Sequence, residues 1–333
     1  MPNSTILHPD DREMGPTDDV VQPFQIDRYG LRGRLVRLGD AVDAVLDRHD
    51  YPPPVAELLG RAMALAACLA SSVKYEGVFT LQAAGAGPVR TLVADVTSDG
   101  AIRGYVGFDR EELDATLALD ATPTVPRLFG GGHLSFTVDQ GGERGRYQGI
   151  VELEGATLAE CVHHYFRQSE QIDTAVHLAC AKVDQGSGKG PWRAGALMVQ
   201  RLPEQRGEDQ PELDVVGDVT DGGGSEEGWR RAVTFMGTAS SGELLDPGLT
   251  PNTLLFRLFH EDGVRVFEPR PIEDRCRCSR RRIERVLRSL PREEVQELKI
   301  EDAVVVTCEF CNRTERFTDG DLDAVYRTGS QPH

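Results

Sequence analysis

Two tight pairs of cysteines near the C-terminus constrain this chain more than any other feature. Cys276-Arg277-Cys278 is followed, after Ser279–Thr307, by Cys308-Glu309-Phe310-Cys311. A C-x-C pair can grip a metal ion from one side and a C-x-x-C knuckle from the other. Four thiolates around one tetrahedral zinc ion is the arrangement such spacing favours. The first pair is one residue tighter than the usual C-x-x-C, so this is not the spacing of an ordinary ribbon or finger. The surrounding segment, 271–333, has few large apolar side chains. A unit of roughly sixty residues with so little to bury needs a staple.

The four cysteines leave two readings open. One is a purely structural zinc clip. The other is a zinc site that also senses oxidants. Thiolates are the oxidisable form of cysteine, and each pair lies close enough in sequence to close a local disulfide. Structural zinc in small domains contributes roughly 10–16 kcal/mol of apparent binding free energy, and that energy is folding energy. Losing two ligands to oxidation would therefore unfold a whole domain. Cys68, Cys161 and Cys180 lie in apolar or helical contexts and read as buried small hydrophobes.

Charge narrows the partners. Lys and Arg number 37 against 54 Asp and Glu, a net charge of −17. Phosphate binding needs a basic face, so a broad nucleic-acid footprint is not expected. The exception is local: Arg275, Arg277, Arg280, Arg281, Arg282, Arg285 and Arg288 crowd beside the cysteines. They read as a solvated helix face that also adds positive charge near the thiols, with nucleic-acid contact as the competing reading. No secretory signal is recognised in the acidic N-terminus, and no run approaches the roughly 18 apolar residues of a membrane span. The expectation is a cytoplasmic protein with no membrane partner.

Along the chain, Met1–Pro23 is polar and acidic and reads as a disordered leader. Leu31–Leu38 alternates as a strand, and Asp40 is placed to cap a helix carrying Val42, Val45 and Leu46. Val55–Lys74 is Ala/Leu-rich and apolar on nearly every side, which predicts a buried core helix. Strands at Val78–Ala84, Val89–Val96, Ala101–Gly107, Gly130–Val138, Tyr147–Leu153, Thr174–Val183 and Pro191–Arg201 are joined by short Gly/Asp turns or by a helix at Leu158–Gln168. Such turns mean antiparallel hairpins. Pro203–Trp229 is strongly acidic and ends its loop in Gly222-Gly223-Gly224-Ser225, which reads as a flexible insertion. Helices follow at Glu226–Ser240 and Pro251–His260. In the cysteine segment, Ser279 is placed to cap a helix over Arg280–Leu290 with one apolar stripe of Ile283, Val286, Leu287 and Leu290.

The expected fold class is α+β. Residues 1–23 are a leader, 24–202 a domain with a large antiparallel sheet and a buried helix, 203–270 an acidic insertion and helical linker, and 271–333 a small zinc-binding domain. No catalytic constellation emerges. Gly186-Ser187-Gly188-Lys189-Gly190 lacks the spacing and the Ser/Thr of a phosphate loop and reads as a hairpin turn. Cys161, His163 and His164 are too close together on one helix to face one another. The chain is not expected to be an enzyme.

Taken together, the cysteine pattern with Ser279-Arg280 and Asn312 resembles the redox-regulated chaperones of the heat shock protein 33 (33 kDa chaperonin) family. Leu58-Leu59-Gly60, Lys74-x-Glu76-Gly77, Gly87-Pro88, Arg103-Gly104-Tyr105, Gly131-Gly132-x-Leu134 and Tyr165-Phe166-x-Gln168-Ser169-Glu170-Gln171 support the resemblance in order along the chain. The resemblance implies one zinc ion held by Cys276, Cys278, Cys308 and Cys311 in a reduced, inactive protein. It implies that oxidation forms Cys276–Cys278 and Cys308–Cys311 disulfides, releases zinc and unfolds the C-terminal domain and linker. The active form then binds unfolding proteins without ATP, usually as a homodimer. The family commonly has an aromatic residue where this chain has Glu315. Competing readings are a zinc module that binds nucleic acid through the arginine helix, and a thiol–disulfide oxidoreductase using Cys308-x-x-Cys311.

Overall fold

A computed structural model describes residues 4–8, 17–141, 145–184, 190–201 and 226–327. The chain divides into two compact units, one ending at Asp274 and one beginning at Arg275. The fold class is α+β in both.

The N-terminal unit begins with β1 (Ser4–Ile6), β2 (Val20–Ile26) and β3 (Leu31–Leu38), then helices α1 (Asp40–Asp47) and α2 (Pro53–Ala70). Strands β4 (Val78–Ala84), β5 (Val89–Thr97) and β6 (Ala101–Phe108) follow, then α3 (Arg110–Leu119) and α4 (Val125–Phe129). Next come β7 (His133–Asp139), β8 (Arg146–Glu152), α5 (Leu158–Tyr165), β9 (Asp173–Lys182) and β10 (Trp192–Arg201). The unit closes with α6 (Glu226–Met236), α7 (Ser241–Leu245), α8 (Pro251–Phe259), β11 (Val264–Phe267), β12 (Arg270–Pro271) and β13 (Glu273–Asp274).

These strands make two sheets where the sequence suggested one. The first runs β1-β11-β2-β3-β10-β9, with β12 also paired to β2. The second runs β13-β6-β5-β4-β7-β8. Pairing is antiparallel except for β13, which lies parallel to β6. Helix α2 packs on strands of both sheets. It carries fourteen buried residues in its eighteen, so an apolar, Ala-rich helix is what the middle layer requires. By length and composition it is also apolar enough to cross a membrane, but most of it is buried between the sheets. Its Gly60 permits the close approach: a Cβ there would lie 2.3 Å from the Cys180 sulfur.

The opposite face of the first sheet carries a second core. Phe24, Leu31, Leu35, Leu197 and Val199 pack against Ala232, Leu244, Leu254, Leu255, Leu258 and Phe259 from α6–α8. Residues 226–270, expected as a linker apart from the sheet domain, are thus folded onto it. The apolar stripe of α8 needs a partner, and the sheet supplies one. The expected leader also changes: Val20–Pro23 lie inside β2, and Ser4–Ile6 pair with Arg265–Phe267. Its residues 1–3 and 9–16 lie outside the described residues, as do 202–225 of the acidic insertion, 142–144 and 185–189.

Asp40 does not cap α1. Gly39 holds the cap position, and the Asp19 carboxylate accepts from Gly39 N at 2.9 Å and Ala41 N at 3.2 Å. Helices α3 and α4 were not foreseen. Asp109 caps α3 through its side chain, whereas α4 starts from Thr124 with Pro126 in its first turn. The expected helix over Leu158–Gln168 is α5 followed by a π-turn at Phe166–Glu170. There Glu170 accepts hydrogen bonds from Tyr147 and Tyr165.

The C-terminal unit is built from α9 (Arg280–Ser289), α10 (Arg292–Glu297), β14 (Lys299–Ile300), β15 (Ala303–Thr307), β16 (Thr314–Thr318) and α11 (Asp319–Arg327). Its three strands form one antiparallel sheet. Among the described residues its core cluster is Leu287, Val295, Val304, Phe317, Leu322 and Val325, with Ala303 also buried.

Candidate metal centre

The two halves of the centre come from two different local structures. Cys276 and Cys278 lie on the segment leading into α9. Ser279 then ends that segment as the helix cap, its hydroxyl accepting from Arg282 N at 3.2 Å. Cys308 and Cys311 sit in the tight turn between β15 and β16. The register carries those strands up to the Thr307–Thr314 pair, where the two hydroxyls lie 3.0 Å apart. Beyond it Cys308 N donates to Arg313 O at 2.9 Å, and Asn312 N donates to Cys308 O at 2.8 Å. Asn312 has φ 56°, a left-handed conformation that asparagine tolerates better than most side chains. The residue after the last cysteine therefore lets the knuckle close, a signal readable from the sequence.

The fold brings all four predicted residues together. The sulfurs of Cys276, Cys278, Cys308 and Cys311 lie within 4.8 Å of one another. Cys276 and Cys308 are 3.8 Å apart, Cys278 and Cys311 3.3 Å. Zinc–sulfur bonds of about 2.3 Å in a tetrahedron put ligand sulfurs about 3.8 Å apart. The spacing therefore fits a single small ion held by four thiolates. Burial, together with the neighbouring thiols, pushes the Cys278 thiol well above its ordinary range, and burial also raises Cys311. Four thiolates this close stay deprotonated only with a cation among them, so as a donor set they could hold a metal ion.

The supports around the centre are specific. Arg280 stacks over Phe317 with its guanidinium carbon 4.3 Å from the ring centre. It also donates to Arg316 O at 2.9 Å and pairs with Glu315 at 3.3 Å and Asp321 at 2.9 Å. Glu315 thus serves as a carboxylate partner for Arg280. Arg288 donates to Val325 O at 2.9 Å, holding α9 to α11. Part of the arginine cluster is therefore structural, which the sequence did not reveal. Arg281, Arg282 and Arg285 remain exposed.

The other cysteines are elsewhere. Cys68, Cys161 and Cys180 are buried in the N-terminal unit, and burial raises their thiols to about 12, about 11 and about 12. They are poor nucleophiles. Cys308-x-x-Cys311 lies in a β-hairpin turn, away from the strand-to-helix turn that a thioredoxin-like motif occupies.

Comparison with known proteins agrees with this architecture. Residues 19–318 match the family described as Hsp33 protein. A 33 kDa chaperonin of Caulobacter vibrioides is 45% identical over 304 residues, covering 90% of this chain and 95% of that one. A 33 kDa chaperonin of Pseudomonas fluorescens is 37% identical over 315 residues, covering 93% and 94%. The crystal structure of the 33 kDa chaperonin (heat shock protein 33 homolog) of Thermotoga maritima superposes with a TM-score of 0.71. It has 24% identity, covers 93% of this chain and 98% of that one, and so shares the fold. With the family match spanning both units and reaching through the knuckle to Thr318, this chain belongs to the Hsp33 family of chaperones.

Proposed function

We propose that this chaperone is switched on by oxidation of Cys276, Cys278, Cys308 and Cys311. The observation that carries the reading is the convergence of those four sulfurs in a unit whose core, among the described residues, clusters on six buried side chains. In the reduced protein the four thiolates hold one zinc ion. Bound there, zinc supplies the staple that this small core lacks.

The chemistry belongs to the thiols. Each pair gives two electrons to the oxidant; with hydrogen peroxide, two thiols and one peroxide yield one disulfide and two waters. The disulfides are Cys276–Cys278 and Cys308–Cys311. This pairing follows the family resemblance; each local pair closes a ring of only a few residues and persists once the unit has opened, whereas the cross pairs would close long loops. Disulfide sulfur no longer ligates, so zinc is lost and the C-terminal unit unfolds. Apolar surface that unfolding proteins bind then becomes accessible, without ATP and with the oxidised protein acting as a homodimer. Reversible thiols suit a reducing compartment, where structural disulfides are rare, which supports a cytoplasmic location. The reading gives it no enzymatic activity and no nucleic-acid or membrane partner.

Zinc stoichiometry and thiol counts before and after peroxide test this, alongside a client-aggregation assay. Loss of about one zinc with four thiols, together with protection only after oxidation, is expected. Equal protection by the reduced protein would overturn the switch.

A further inference from the structure

Helix α9 carries two kinds of arginine. Arg280 pairs with Glu284, Glu315 and Asp321, and Arg288 donates to Val325 O. Arg281, Arg282 and Arg285 are exposed and have no ion-pair partner among the described residues. At about 100° per residue, Arg281, Arg285, Ser289, Arg282 and Val286 fall within one arc of about 140°. The opposite side holds Ile283, Leu287 and Leu290, which pack in the core. Val286 is 57% exposed, so the charged face also holds an apolar side chain in water.

This face works against its own helix. The first turn of α9 has no acidic residue, whereas the first turns of α3 and α10 each carry two glutamates. Arg281 and Arg282 stand where the helix dipole favours negative charge. Arg281 and Arg285, four residues apart, repel each other. An anion on the face would remove both penalties at once. A long polyanion is disfavoured, because the chain's net charge is −17 and the face has no aromatic side chain on which a base could stack. A short acidic polypeptide segment fits better. Arg281 and Arg285 are about 6 Å apart along the helix axis. That is close to the roughly 7 Å between alternate side chains of an extended strand. An apolar residue two positions further along such a segment can then cover Val286.

We propose that Arg281, Arg282, Arg285 and Val286 form a docking face for a partner protein. The segment it takes is short, extended and acidic, with an apolar residue following its carboxylates. The guanidinium forks bind the carboxylates, and Val286 selects against partners that offer charge alone. The face exists only while α9 is folded. The inference therefore rests on the folded C-terminal unit and not on how oxidation acts.

The test adds a short labelled peptide to the reduced full-length protein, with fluorescence anisotropy at low salt as the readout. The peptide carries glutamate, glutamate and leucine at successive alternate positions, with serine between them. Saturable binding is expected, and it should be lost when glutamine replaces both glutamates. Arg281→Gln/Arg282→Gln/Arg285→Gln is expected to weaken binding roughly tenfold or more, and Val286→Ser about threefold. In the triple variant the amide protection of α9 is expected to hold or rise, because the removed charges opposed the helix. Arginines that only balance the thiolates beside the helix would give the reverse, lost protection and lost metal. Such a loss, peptide binding indifferent to the arginines, or tighter binding of an RNA oligonucleotide of equal charge overturns the proposal. None of these results alters the thiol counts or the aggregation measurements on the unmodified protein, so failure of the docking face is distinguishable from failure of the switch.

Discussion

Leu59 and Phe317 are both fully buried, yet they sit in cores of different kinds. Leu59 lies on α2, surrounded by apolar residues from two sheets and several helices. Phe317 belongs to a cluster of six buried side chains among the described residues, its ring covered on one side by the Arg280 guanidinium. The first core is redundant, since many contacts share the burden of any one. The second is small, and under the proposed function a metal held by the four sulfurs would make up for the missing apolar volume. On that reading stability is intrinsic in one unit and conditional in the other.

Metal removal should show this contrast most sharply. A chelator, or Cys308→Ser, is expected to abolish amide protection across α9–α11 while leaving β2–β10 protected, in hydrogen exchange on the full chain. The effect approaches the roughly 10–16 kcal/mol that a structural zinc contributes. Persistent protection in the C-terminal unit would break the comparison. Next in size are matched truncations. Phe317→Ala and Leu59→Ala each remove about 2–5 kcal/mol. The first is expected to unfold its unit and weaken zinc retention, whereas the second should lower the N-terminal unit's thermal midpoint without unfolding it. Calorimetry with zinc quantitation separates the two.

The smallest expected effect is a pH dependence confined to the N-terminal unit. His177 on β9 is held neutral by burial, which lowers its affinity for protons, and its Nε2 has no partner among the described residues. A histidine with a depressed folded value contributes stability that is fully present above its unfolded value, about 6.5, and lost as pH falls below it. Denaturant midpoints of this unit should therefore fall between neutrality and mild acid. His177→Gln should flatten that slope; an unchanged slope would assign it to other groups.

The metal centre was legible because its information is local. Ser279 caps its helix beside the first cysteine pair, and the short β15–β16 hairpin carries the second, so each half is specified within a few residues. The division into two sheets was not legible, because β4–β8 and β2–β3 carry the same alternation and turn chemistry. Which strands share a sheet is decided by pairs such as Arg37 with Gly195, far apart in sequence. The buried arginines of β3 escaped notice for a related reason. In Leu31–Leu38 the alternation of apolar and basic residues suggests one wet face, but both faces of this sheet are covered. Asp19 as the cap of α1 was hidden in the same way, since its partner helix starts some twenty residues later.

The last residues of the N-terminal unit have a mechanical consequence. Arg270–Pro271 pair with β2 in one sheet, and Glu273–Asp274 pair with β6 in the other. Between them Ile272 is 6% exposed, within the α2 core. Asp274 is gripped by both terminal nitrogens of Arg48. A tug arriving along the chain from Arg275 meets first that ionic fork and a two-residue edge strand, which give way by peeling. Only then does it meet Ile272, which must be drawn out of a packed interior. The order of these contacts along the chain would thus grade the response to a pull: slack first at the rim of the second sheet, then resistance at one packed isoleucine.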